Sequence, residues 1–79
     1  MNFNSGPQRR IRTLNVQDRI ILDPAILGGK PIIRGTRIPV TIVVGSLAGG
    51  ITFQEIQREY DITADDIRAA LKYLADLLP

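Results

Sequence analysis

From residue 40 onward, apolar positions recur at helical spacing. Val40, Val43, Val44, Leu47 and Ala48 fall at i, i+3, i+4, i+7 and i+8, Pro39 suits a first helical turn, and Gly49-Gly50 supplies a stop, so the spacing predicts a helix over 40–48. Val40, Thr41, Ile42, Val43 and Val44 are all β-branched and Gly45 follows them, so propensity alone would favour strand. Periodicity and punctuation decide for helix. Two further helices are announced by a short repeat, I-T-F-Q-E-I at 51–56 and I-T-A-D-D-I at 62–67. In each, Thr52 or Thr63 is placed to cap free N–H groups and Glu55 or Asp66 follows three residues on. An Ile ahead of the cap faces an Ile at the fourth helical position, so a capping box and a hydrophobic staple coincide twice. The first of these helices carries Phe53, Ile56 and Tyr60 on one face and ends near Asp61. The second carries Ile67, Ala70, Leu71, Leu74, Ala75 and Leu78 to the end of the chain.

Before residue 40 the pattern changes. Arg19 to Leu22 has the β-branched composition of a short strand stopped by Asp23-Pro24, and Ala25 to Gly29 reads as a turn of helix ending in Gly28-Gly29. Gly29 to Val40, G-K-P-I-I-R-G-T-R-I-P-V, is too rich in Pro and Gly for a helix or a long strand. Pro31 and Pro39 each fix φ and lack a backbone donor, while Gly35 permits positive φ, so this segment predicts a short strand, a tight turn and a short return strand. These strands can pair with each other or with residues 19–22. Residues 1–18 show little apolar periodicity and read as a flexible basic arm. The expected fold is mainly α with a small N-terminal β element. It is a three-helix, homeodomain-like helix-turn-helix bundle preceded by a short β-hairpin, with one domain over 19–79 divided into a β element (19–39) and a three-helix unit (40–79).

Composition narrows the chemistry. A 79-residue chain buries only about 60% of its unfolded surface, and with neither Cys nor His it lacks disulfides and the usual zinc, haem and iron–sulfur ligands. A partner surface is the expected stabiliser, and no cofactor or metal is expected. With two Phe and two Tyr, the core must be aliphatic. No window approaches a membrane span and the first residues lack a signal-peptide apolar run, so a cytoplasmic protein is expected. Charge is polarised: residues 1–40 hold seven cations against Asp18 and Asp23, a net +5, and the remainder holds three cations against six carboxylates, a net −3. The basic half suits an acidic partner or head-to-tail self-contact.

Three surfaces are candidates. In a DNA reader, the helix from Ala64 would enter the major groove, yet its first residues are Asp65 and Asp66, which suit the helix dipole and repel phosphate. Only Arg68 and Lys72 offset them on that helix, with Arg9, Arg10 and Arg12 of the arm available for phosphate contact, so a structural trihelical core is favoured over DNA readout. The carboxylates Glu55, Glu59, Asp61, Asp65 and Asp66 read as first-turn and polar-face residues rather than as a catalytic or magnesium site, and no enzyme is expected. Arg34 and Arg37 flank Gly35-Thr36, so both guanidinium groups can project from one turn, with Lys30 nearby, to grip carboxylate or phosphate. Tyr73, Leu74, Leu77 and Leu78 make the last apolar stripe wider than a two-helix contact needs; it could cover the underside of the small sheet, but in a small domain without other staples a homodimer interface is favoured.

The string G-G-K-P-I-I-R-G-T-R-I-P-V, followed by a short helix, an I-T-x-x-E-I start and D-I-T-x-x-D-I-R-A-A-L-x-Y, resembles the bacterial domain-of-unknown-function 433 family over about Arg19 to Leu78. The resemblance implies a homeodomain-like helical fold with an N-terminal β element. It also implies a role as the antitoxin of a toxin–antitoxin pair whose partner is a PIN-like ribonuclease. The leading expectation is therefore a non-enzymatic, dimeric antitoxin-like module. A PIN-type active site is a cluster of carboxylates, so Lys30, Arg34, Gly35, Thr36 and Arg37 are the expected contacts, with operator DNA as a further expected ligand. The alternatives are a DNA-binding helix-turn-helix regulator and a pure dimerisation domain.

Overall fold

Two threonines fix where the helices of the second half begin. In the computed structural model, which describes residues 18–78, the Thr52 hydroxyl accepts from the Glu55 N–H at 3.1 Å while the Glu55 carboxylate accepts from the Thr52 N–H at 2.9 Å. Thr63 and Asp66 repeat the exchange at 3.1 and 2.9 Å. Each box satisfies two donors that a helix start otherwise leaves bare, and the helices follow as expected: α2 over Phe53–Tyr60 and α3 over Ala64–Leu77. Asp61, in the left-handed conformation at φ 55°, ends α2 two residues before the Thr63 cap. The staples are unequal. Ile62 is buried ahead of Ile67, whereas Ile51, ahead of buried Ile56, is 40% exposed.

The β-branched run is helical. Helix α1 spans Val40–Ala48 and has Pro39 as its N-cap. Val40 and Val43 are buried and Val44 and Leu47 half-buried, so packing outweighs the local preference for strand. Past its end, Gly50 at φ 96° lets its N–H reach the Leu47 carbonyl at 3.0 Å and turns the chain toward α2.

The β element uses both pairings that the sequence left open. Strand β1, Ile20–Ile21, lies antiparallel to β2, Ile32–Ile33, with Ile20 opposite Ile33 and Ile21 opposite Ile32. The return segment touches β2 through an isolated bridge between Ile32 and Pro39 and through the Ile33 N–H, which donates to the Ile38 carbonyl at 3.0 Å. Pro39 has no N–H to continue the ladder, so the return stays irregular and enters α1 directly. Between β1 and β2, the expected turn of helix is a 3₁₀ turn at Leu27–Gly29, with Gly28 at φ 68°.

Ile20 and Ile33 from the sheet, Val40 and Val43 from α1, Ile56, Ile62, Ile67, Ala69 and Ala70 form one aliphatic core, flanked by half-buried Ile38, Phe53, Tyr60 and Tyr73. Among the described residues no polar side chain is buried and no helix is long and apolar enough to cross a membrane. The arm expected over 1–18, with Arg9, Arg10 and Arg12, lies outside the described residues apart from Asp18.

Candidate functional site

The basic turn is braced by its own threonine. The Thr36 N–H donates to the Ile33 carbonyl at 3.1 Å, which closes a four-residue turn with Arg34 and Gly35 at its centre. Gly35 has φ 79°, as the third position of a type II turn requires. The turn is thus centred one residue earlier than Gly35-Thr36. The Thr36 hydroxyl donates to the Ile33 carbonyl at 2.7 Å and accepts from the Ile38 N–H at 2.9 Å. Thr36 is half-buried and its hydroxyl serves the loop itself, while Lys30, Arg34, Gly35 and Arg37 are exposed. Among the described residues, no carboxylate lies within 4.0 Å of the charged atoms of Lys30, Arg34 or Arg37.

The other candidate cations sit differently. On α3, Arg68 donates to Asp65 at 2.7 Å and Lys72 to Asp76 at 2.7 Å, both pairs exposed. Both cations on the candidate DNA-reading helix therefore have a carboxylate within one turn. Each such pair stabilises by only about 0–1 kcal/mol and exchanges readily with solvent. The acidic start of that helix also has a partner outside it: the Arg19 guanidinium reaches Asp66 at 2.9 Å and Asp65 at 3.9 Å. Burial pushes the Asp66 carboxyl up. The hydrogen bonds from the Thr63 backbone, the Arg19 guanidinium and the Thr63 hydroxyl outweigh that and hold it below the usual carboxylate range. Glu55 is likewise lowered, first by the Thr52 backbone N–H and then by its hydroxyl.

Arg19 was not among the residues singled out in the sequence. It stands 47 positions from Asp66, and no local pattern pairs them. The expected dimer residues divide: Tyr73 packs against the core, whereas Leu74, Leu77 and Leu78, together with Leu71, are 37–64% exposed. The described residues hold no group of three or more Asp or Glu side chains arranged to bind a metal ion.

Comparison with known proteins adds the family. A Mycobacterium tuberculosis protein named "Putative antitoxin VapB45" is 38% identical over 56 residues, covering 71% of this chain and 23% of that protein. The uncharacterized protein y4eO of Sinorhizobium fredii is 36% identical over 75 residues, covering 92% of this chain and 34% of that protein. The chain thus spans only 23–34% of the length of these curated relatives. Among solved structures, a DUF433 member from Anabaena variabilis superposes with a TM-score of 0.71 at 34% identity, covering 81% of this chain and 64% of that one. Rv2018 from Mycobacterium tuberculosis gives 0.64 at 37% identity, covering 77% and 29%. The model of the protein family of unknown function DUF433 matches residues 20–74, which include β1, the basic turn and most of α3, and the chain belongs to that family.

Proposed function

We propose that this chain is a non-enzymatic antitoxin-like module that neutralises a PIN-like ribonuclease by presenting Lys30, Arg34 and Arg37 to the carboxylates of the nuclease active site. Gly35 and Thr36 hold the turn in shape. The observation that carries this reading is the contrast in ion pairing. Arg19, Arg68 and Lys72 each hold a carboxylate of the same chain, while three exposed cations clustered on one eight-residue segment have none among the described residues; Arg58 on α2 also has none but stands alone. A guanidinium that is already solvated and held on a braced turn meets a carboxylate cluster at little conformational cost. The relative named as a putative antitoxin supports a protein partner of this kind.

The module is further proposed to dimerise through the exposed leucines of α3. Operator binding through Arg68 and Lys72 is the weaker part of the proposal, since both cations begin paired.

The test is co-expression with the product of the reading frame beside this chain's gene, followed, where that product is a ribonuclease, by titration of the purified pair. Wild-type protein is expected to bind and inhibit the nuclease. The Arg34→Ala, Arg37→Ala double variant is expected to bind at least about 100-fold more weakly, since each lost charge-assisted bond costs about 1.5–3 kcal/mol. Unchanged affinity in the double variant would overturn the proposal, and so would a neighbouring product that is no nuclease or that does not bind.

A further inference from the structure

A two-residue ladder is too short to hold the basic turn by itself. The β1–β2 register places Arg19 opposite Arg34, and the Arg34 N–H donates to the Arg19 carbonyl at 2.8 Å, which adds one rung beyond the paired isoleucines. That rung ties the turn to the residue just ahead of β1, and it depends on where Arg19 stands. The side chain of the same residue supplies the anchor. Its guanidinium donates to Asp66 Oδ1 at 2.9 Å, while Asp66 Oδ2 accepts from the Thr63 N–H at 2.9 Å and the Asp66 N–H returns a bond to the Thr63 hydroxyl at 3.1 Å. Asp65 lies a further 3.9 Å contact away. The Asp66 side chain is 17% exposed, so this pair is better shielded from water than the others on α3.

We infer that Arg19 is the positioning residue of the basic turn: its side chain is clamped to the capped N-terminus of α3, and its carbonyl fixes the backbone from which Arg34 and Arg37 project. Arg19 does not itself reach the partner. This inference rests on the proposed function for its biological meaning, but the mechanical coupling stands or falls by itself.

The clamp makes the turn and the start of α3 one mechanical unit. Whatever loosens Asp66 also loosens the arginines, which lie more than 28 positions earlier in the chain. Asp66→Asn separates the two duties of that carboxylate, because the amide oxygen still caps the Thr63 N–H while the charge that holds Arg19 is gone.

The experiment is amide hydrogen exchange by NMR on wild-type protein and the Arg19→Ala, Arg19→Lys and Asp66→Asn variants. With Arg19→Ala and with Asp66→Asn, exchange at Arg34 and Thr36 is expected to rise about tenfold or more while Val43, Ile56 and Ile67 change by less than about twofold. Arg19→Lys, which keeps the charge, is expected to restore much of the protection. Unchanged turn amides overturn the inference, and so does a parallel rise at every amide, which would mark a loss of global stability instead. In nuclease titrations, Arg19→Ala is expected to weaken binding in the wild-type background and to add nothing in the Arg34→Ala, Arg37→Ala background. Additive losses would show that Arg19 contacts the partner directly and would also overturn it. If wild-type protein does not bind the nuclease, the preceding proposal fails while the exchange measurement still decides this one.

Discussion

Replacing Thr36 with valine removes one hydroxyl and nothing else of consequence for shape, which makes it a clean probe of the turn. The hydroxyl makes two bonds of unequal weight. The Ile33 carbonyl, which accepts it at 2.7 Å, keeps the Thr36 N–H at 3.1 Å in its absence, so that loss is modest. The Ile38 N–H, which donates to the hydroxyl at 2.9 Å from a half-buried position, is left without a partner in the loop. A net hydrogen bond contributes about 0.5–1.5 kcal/mol and an orphaned donor costs about 1–3 kcal/mol, less where water can reach it, so Thr36→Val should cost about 1.5 kcal/mol. For a domain of this size that lowers the thermal midpoint by roughly 6–12 °C. Thr36→Ser keeps both bonds and sheds one half-buried methyl, for about 0.5 kcal/mol. Urea denaturation of the three proteins reads the difference. Equal stability of the valine and serine variants would refute the bracing role of the hydroxyl.

Two glycines should respond oppositely to alanine: Gly35→Ala is expected to lose about 1–2 kcal/mol because φ there is +79°, and Gly45→Ala to gain about 0.5–1 kcal/mol inside α1, where a Cβ meets open space. Both are read by thermal melts, and a stabilised Gly35→Ala would show that the turn is not held left-handed in solution. Ile67→Ala, at a fully buried site behind the Thr63 cap, should cost about 2–5 kcal/mol in urea unfolding, a large part of the roughly 4–12 kcal/mol expected for the whole domain. Asp66 and Glu55 both have folded pKa values below their unfolded ones, so their stabilisation is present above the unfolded carboxylate range of about pH 4 and is lost as pH falls through the lowered folded values. Midpoints measured across acid pH should therefore fall, and the fall should be shallower in Asp66→Asn; an identical acid limb would contradict the assignment.

How much of this was legible depended on whether a feature was local. The capped starts of α2 and α3 were readable because a capping box lies within four residues, and the observed bonds match it at both positions. Helix α1 was readable against its composition because the 3.6-residue period of Val40, Val43, Val44 and Leu47 records which side meets the core. The breadth of the last apolar stripe was also visible, and Leu74, Leu77 and Leu78 are exposed as that breadth suggested. The clamp between Arg19 and Asp66 was not readable, because nothing near either residue marks a partner 47 positions away. Thr36 appeared as one of several turn residues facing outward. Its hydroxyl instead turns inward, which was not readable because a turn's residues determine its type more firmly than the direction of one side chain.

The segment from Lys30 to Arg37 is the surface proposed to meet the partner. Titration of labelled protein with the proposed ribonuclease partner, followed amide by amide, is the decisive measurement. Shifts concentrated at residues 30–37 are expected, with the Arg68 and Lys72 face of α3 little changed. Shifts confined to α3, with the basic turn unmoved, would contradict the account.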